Sequence, residues 1–397
     1  MIIIPSIFVH SELIPHSKAK QIVFESFSHQ DRQKSLTVMD ACGRILASPV
    51  FSNRTHPPQI LAGPDGIAVK SEDTTEAGED RTVELDVPRV NTGMPVPDGF
   101  NAVIPIEEVI HVTGDRYKIH TPVTPYQNTI QAGSDIEKGD MVMDSGHLVN
   151  PFDIGALLTY GIRSVTVKDW KIGLIATGDE IIPSNKSPLP GQIIDTNSSM
   201  VSMYLQPYGV TPVIAPITPD DPVCLAQELN QLANDCDIVL IFGGSSAGSK
   251  DFTVDAMKEK GTLLFHGVAM APGKPVSLAR IHGKPVFGMP GPSIGSLVVL
   301  YELVYPLLRQ WGVPIPPDTS IKGLLTASVS SFNGFDMFLM MSVEAHGEKV
   351  LISPVERRFG QMMGVRANAI LHKKAGTGDI QAGEEVEVRV IRSLVNT

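Results

Sequence analysis

Cysteine is scarce in this chain: Cys42, Cys224 and Cys236 are an odd, scattered set among 397 residues. Their spacing matches neither a cysteine-held metal site nor a disulfide framework, which points to a reducing compartment, the cytoplasm. Positive charge is also in short supply. Lys and Arg number 32 against 43 Asp and Glu, for a net charge of -11. That excludes the clustered cations of an extended nucleic-acid or anionic-membrane surface, so any anionic ligand must be gripped locally. No apolar run reaches the ~20 residues that a bilayer span needs. The longest candidate, 294–308, contains Glu302 and reads as a buried helix. The apolar start Met1-Ile2-Ile3-Ile4 meets Pro5 at once and has no basic leader, so it is not expected to act as a signal peptide. Internal repeats and low-complexity tracts are missing too, which leaves about two to four ordinary domains at this length.

What is present is a Gly-rich turn. Gly243-Gly244-Ser245-Ser246-Ala247-Gly248-Ser249-Lys250-Asp251 directly follows the apolar run 238–242 and precedes an amphipathic segment. Glycines there let the backbone approach a ligand, and the free N–H groups that open the next helix attract negative charge. The turn reads as a phosphate or anion cradle, beside the plainer reading of a tight chain reversal. Asp251 either caps the helix or helps hold a divalent metal against a bound phosphate.

The surrounding pattern predicts an α/β plus β, multidomain fold. Residues 169–316 alternate strand and helix, the signature of a mostly parallel sheet with helical crossovers. Strands are expected at 172–176, 211–216 and 238–242, with shorter ones near Val276 and Val286; helices are expected at 198–205, 222–234, 253–258 and 294–311. Residues 1–54 and 129–168 form an N-terminal mixed region, and 55–128, with short β-branched runs between Pro and Gly turns, an inserted β module. After the stiff Pro314-Ile315-Pro316-Pro317 linker, 317–397 reads as a small β domain with strands at 324–329, 337–343, 349–352 and 384–391.

Four further motifs fall at the strand ends of the α/β region, where open sheets of this kind bind ligands. Thr177-Gly178-Asp179-Glu180 offers a hydroxyl, a flexible glycine and two carboxylates. Asp195-Thr196-Asn197 opens a helix, where Asn197 or Ser198 also suits an N-cap. Pro272-Gly273-Lys274-Pro275 puts one cation in a rigid turn, and Pro290-Gly291-Pro292-Ser293 opens the long apolar helix.

In this order and spacing the motifs resemble the molybdopterin molybdenumtransferase family, MoeA in bacteria and the gephyrin E domain in animals. The likeness covers nearly the whole chain. Asp65-Gly66-Ile67-Ala68 is similar to the family's SAMDGYA motif and Thr92-Gly93-Met94-Pro95 to its TGA-x-x-P motif, with counterparts for Glu107-Glu108, Gly133-Ser134-Asp135-Ile136 and Ala382-Gly383-Glu384. The resemblance implies a molybdopterin-binding α/β domain within a homodimer, its site completed by loops of the partner. It implies insertion of molybdate, or tungstate, into adenylylated molybdopterin with release of AMP, assisted by a divalent cation such as Mg2+. Partners would be molybdopterin adenylyltransferase and other proteins of the cofactor pathway. It assigns Asp220, Asp251 and Glu180 to the metal, and Asp65, Asp135, Asp220 and Asp251 to catalysis. Ligand binding falls to Thr92, Thr177, Gly178, Glu180, Asn197, Gly243, Gly244, Ser246, Gly248, Gly273, Lys274, Pro290 and Gly291.

The chain departs from the family where an oxyanion would be held. Both lysine positions before the Pro-Gly-Lys-Pro turn are occupied by Gly267 and Ala271, leaving His266 as the nearest substitute. Two missing cations remove charge-assisted contacts of about 1.5–3 kcal/mol each. A catalytically impaired carrier or regulatory paralogue is therefore a second expectation; a scaffold, or a nucleotide hydrolase on the same α/β unit, is a more remote one.

Overall fold

In the computed structural model, which describes residues 13–29, 31–243, 252–332, 334–347, 349–355 and 360–392, the chain divides into two units. One comprises Met1–Arg32 with Asp169–Thr397, the other Gln33–Lys168. The first is organised by the strand Ile238–Phe242, whose five residues are all buried, as a strand covered on both faces requires. Its six-stranded sheet runs in the order Val210–Ile214, Trp170–Ala176, Ile238–Phe242, Lys284–Met289, Ser277–Ile281, Thr262–His266. The first four strands are parallel, and Ser277–Ile281 runs against both of its neighbours. Thr262–His266 was not foreseen, because this edge strand buries only Phe265 fully and lacks a continuous buried run.

Local chemistry sets the helices. Asp221 caps Pro222–Asp235: its Oδ1 accepts the N–H groups of Val223 and Cys224 at 2.9 and 2.8 Å, and Pro222 has no N–H to satisfy. Leu225, Leu229 and Leu232 then fall on one face and pack with Val239 and Ile241 of the sheet. The helix expected at 294–311 is continuous but not uniform, passing from Ser293–Val299 through a π turn, Leu300–Val304, into Tyr305–Gln310. Pro306 lacks the N–H that would reach the Glu302 carbonyl, and the wider turn before it absorbs that loss.

Glu302, in this turn, is 2% exposed and faces His16 at 3.2 Å, Lys20 at 3.9 Å and Arg389 at 2.6 Å. The His16 and Arg389 contacts are ion pairs by distance without full hydrogen-bond alignment. Burial opposes its charge, yet His16, Arg389 and Lys20 outweigh burial and hold its carboxyl at about 2. Because that value lies below the ordinary 4.5, its stabilisation is complete above pH 4.5 and is lost as pH falls toward 2. Glu302→Ala removes the buried carboxylate that faces Lys20 and Arg389, although Arg389 keeps Asp318 at 2.8 Å. The substitution should cost about 1–3 kcal/mol in urea unfolding at neutral pH. The same cluster anchors the helix His16–Ser26, so Met1–Arg32, grouped from the sequence with 33–54, falls in the first unit.

The C-terminal strands close into a barrel. Asp336–His346, Lys349–Pro354, Ser320–Leu325, Glu385–Val390 and Ala369–Lys373 follow one another, and the last pairs back onto the first. Closure leaves no free edge and encloses Leu325, Val343, Ile352, Leu371 and Val388. Ala369–Lys373 was missed because its Ala-Ile-Leu run is brief and Lys373 and Lys374 follow it. Met270–Ala271, from the α/β region, adds in parallel to Asp336 and Met337.

In the second unit, Gln33–Thr37 pairs with Ser164–Lys168 and Val50–Phe51 with Met141–Met143. These strands and the helix Pro151–Thr159 cover a core of Val38, Leu46, Val149, Leu157 and Val167. Two three-stranded antiparallel sheets supply its β character: Gly66–Val69 between Arg89–Val90 and Ala102–Pro105, and Arg116–Ile119 between Val83–Asp86 and Val109–Thr113. They share Ile67, Val69, Ile104, Tyr117 and Ile119. Among the described residues, no helix is long and apolar enough to cross a membrane.

Candidate functional site

The parallel strands of the six-stranded sheet deliver Thr177, Thr218, Gly243 and Pro290 to one end, just beyond their carboxyl termini. Thr177 joins three of the loops. Its N–H donates to the Phe242 carbonyl at 2.9 Å, and its Oγ1 lies 3.4 Å from both Asp220 Oδ1 and the Pro219 carbonyl. Gly178 donates its N–H to the Thr218 carbonyl at 3.2 Å. Gly243 adopts φ +109°, and a Cβ there would stand 2.1 Å from the Thr177 carbonyl oxygen. No side chain fits that approach.

Three carboxylates border this joint. Asp179 Oδ1 accepts the Asp220 N–H at 3.2 Å. Asp220 is half-buried, and its carboxyl is pushed up from the ordinary range by burial, then by the charges of Asp179 and Glu180; the Thr177 and Asp179 hydrogen bonds offset this only in part. Like charges held together favour a bound cation. Among the described residues these three do not close into a cage of ligand atoms. An all-oxygen, open set of this kind suits a hard ion that keeps waters and takes phosphate oxygens as further ligands.

Asn197 is drawn into the same end of the sheet. Asp195 Oδ1 accepts the Ser198 N–H at 3.0 Å, which leaves the Asn197 side chain to donate from Nδ2 to the Gly291 carbonyl at 2.8 Å. Asn197 is therefore not the N-cap. Its Oδ1 and the Ser198 hydroxyl are enclosed without a hydrogen-bond partner among the described residues. Gln361, from the short helix Gln361–Arg366 of the barrel domain, donates to Thr196 Oγ1 at 3.2 Å and Ser293 Oγ at 2.9 Å. Nothing in the sequence marks Gln361, which lies 68 residues beyond Ser293. Asp179, by contrast, stood inside a motif already singled out.

Gly273 adopts φ +120° directly over Met270, whose Cε would lie 2.7 Å from an added Cβ, and the Lys274 carbonyl accepts the Val268 N–H at 3.0 Å. The expected turn is thus braced from beneath. Gly244, Ser246, Gly248 and Asp251 lie outside the described residues.

The remaining expected residues belong to the second unit. Exposed Asp65 accepts both the N–H and the hydroxyl of Thr92, at 2.7 and 2.9 Å, and these bonds hold its carboxyl below the ordinary value. Asp135 accepts the Tyr160 hydroxyl at 2.9 Å, which pushes the Tyr160 phenol up. Asp65 and Thr92 are therefore brought together, while Asp135 has a partner the sequence did not suggest.

Residues 14–161 match the family described as "MoeA N-terminal region (domain I and II)", and residues 173–310 the one described as "Probable molybdopterin binding domain". The crystal structure of a molybdopterin biosynthesis MoeA protein from Pyrococcus horikoshii superposes with a TM-score of 0.76 at 29% identity. It covers 96% of this chain and 100% of that one. A protein of Methanocaldococcus jannaschii named for molybdopterin biosynthesis is 31% identical over 309 residues, 72% of this chain and 77% of the relative. The chain belongs to the MoeA family. Similarity extends into the barrel: a molybdopterin molybdenumtransferase 2 of Mycobacterium tuberculosis is 27% identical over 390 residues, 90% of this chain and 95% of that protein.

In this MoeA-family chain the two positions without lysine are set in bonded backbone. Gly267 adopts φ +87°, donates its N–H to the Val276 carbonyl and accepts the Ile14 N–H. Ala271 pairs with Met337. A lysine at 267 would strain the backbone, whereas one at 271 meets no such barrier.

Proposed function

We propose that this MoeA-family chain is a transferase of molybdenum cofactor biosynthesis that inserts molybdate, or tungstate, into adenylylated molybdopterin and releases AMP. The observation that carries the proposal is Asp220, whose carboxyl is raised by burial and by Asp179 and Glu180 beside the Thr177–Gly243 joint. Carboxylates under mutual repulsion beside a close glycine approach suit a phosphate ligand with a divalent cation. Asp220, Glu180 and Asp251 would hold Mg2+, which when bound supplies charge neutralisation to the phosphates of the adenylylated ligand.

The chain's own residues then bind and orient. Gly243 would face the phosphates from its close approach to Thr177, beside Gly178; Gly244, Ser246 and Gly248, which lie outside the described residues, are proposed to take part from the sequence motif alone. Asn197 holds Gly291 in place and presents an acceptor without a partner among the described residues. Lys274, on its braced turn, contributes positive charge toward the oxyanion. Asp65, Thr92 and Asp135 are proposed to act from the second copy of a homodimer in the cytoplasm, with molybdopterin adenylyltransferase supplying the substrate.

The test is a single turnover of purified chain with adenylylated molybdopterin, Mg2+ and molybdate or tungstate, following AMP and metal insertion. Conversion is the expected result. Tight binding without AMP release would replace the transferase with the carrier that Gly267 and Ala271 suggest, a reading the names of the relatives do not favour.

A further inference from the structure

His16, Asp336 and His372 come from three separated stretches of chain, yet a ligand-type atom of each lies within 4.8 Å of the other two. The fold dictates this. His372 stands opposite Phe338 in the antiparallel pair of Asp336–His346 and Ala369–Lys373, and the two rings stack at 4.5 Å and 13°. His16, the first residue of the helix His16–Ser26, meets Phe338 edge-on at 5.4 Å and His372 edge-on at 5.7 Å. His372 Nε2 lies 2.7 Å from Asp336 Oδ1.

Two imidazoles and one carboxylate converging at a half-buried point are the donors that borderline transition ions take, and differ from the all-oxygen set that Mg2+ and Ca2+ prefer. His16 is 5% exposed, and the side chains of His372 and Asp336 are 31% and 17% exposed, so the point is shielded but reachable. Glu302 Oε2 lies 3.2 Å from His16 Nε2, which would leave Nδ1 to the ion. A carboxylate in that place orients a liganding imidazole and strengthens it as a donor.

We propose that His16, Asp336 and His372 form a structural site for a divalent transition ion of the Zn2+ type. Its position gives it a task. Ile14, two residues before His16, accepts the Ala269 N–H at 2.8 Å; Asp336 donates its N–H to the Ala269 carbonyl at 2.9 Å and pairs with Met270. The ion would tie together the two segments that flank 267–271, the strip leading into the Pro272-Gly273-Lys274 turn. It fastens the N-terminal helix to the barrel and steadies the backbone that presents Lys274. The site is independent of the transferase reading, because its ligands and its readout involve no substrate.

The test uses the full chain without a polyhistidine tag, stripped by a chelator and titrated with Co2+ alone, followed by competition with Zn2+. The expected result is one tight equivalent with visible d–d absorption, displaced by Zn2+, and a rise in melting temperature on adding Zn2+. Both signals should be lost in His372→Asn and in Asp336→Asn and kept in Asp220→Asn. Absence of tight binding in the unaltered chain overturns the proposal whatever the variants do. So does binding that persists in the His372→Asn, Asp336→Asn double variant, or that disappears equally in Asp220→Asn. Circular dichroism of each variant separates a lost ligand from a lost fold.

Discussion

Gly243→Ala should lower the melting temperature of the chain by roughly 6–12 °C, the equivalent of about 3 kcal/mol for a domain of this size. A Cβ at this position would stand 2.1 Å from the Thr177 carbonyl oxygen and 3.1 Å from its carbon, at φ +109°. The neighbours are backbone, so no side chain can swing away. The strand end at Phe242 would have to part from Thr177, breaking the 2.9 Å bond between the Thr177 N–H and the Phe242 carbonyl. That bond holds together the two loops proposed to frame the ligand, so affinity for adenylylated molybdopterin should fall with stability. Gly291→Ala is the control: nothing lies within 4 Å of its added Cβ, and its melting temperature should stay within about a degree. Calorimetry of the two variants decides the matter. Equal losses would mean that the Thr177–Gly243 approach is not what restricts residue 243.

The α/β unit was legible because its signal is local and redundant. Ile238–Phe242 is an unbroken buried run, and Leu225, Leu229 and Leu232 repeat at helical spacing behind a capping Asp221. Thr177, Gly178, Asn197, Gly243 and Gly291 were legible for a related reason: each follows a strand or opens a helix, and the topology then brings them to one end of the sheet. What escaped notice depends on partners far away in sequence. Thr262–His266 is a strand only because Ser277–Ile281 pairs with it, and Ala369–Lys373 because the barrel closes onto Asp336–His346. Gln361 acts on Thr196 and Ser293 from another domain, and His16, Asp336 and His372 meet only through the fold. Pro306 was visible from the start, but the π turn it requires depends on the helix continuing past it.

Asp220→Asn should reduce AMP release about 100- to 1000-fold while leaving the chain folded, the loss expected when one charged group of a phosphate-transfer site is removed. The change is nearly isosteric and keeps an acceptor for Thr177, so structure is spared and charge is not. Stability supplies an independent check. The Asp220 carboxyl is raised, by burial first and by Asp179 and Glu180 next, so its folded-state pKa lies above its unfolded one. Ionised Asp220 therefore opposes folding above that pKa, and the opposition fades as pH falls through it. Without divalent cation at neutral pH, Asp220→Asn should melt higher than the unaltered chain, and Mg2+ should raise the melting temperature of the unaltered chain alone. The pH profile follows with the opposite sign for activity. As pH drops, protons compete with the cation for Asp220 and AMP release declines; because the cation favours the ionised carboxyl, raising Mg2+ should move this limb to lower pH. In Asp220→Asn that acid limb should vanish from whatever activity remains. A variant that keeps the limb, or that melts lower without cation, would show that Asp220 serves the fold and not the bound phosphate.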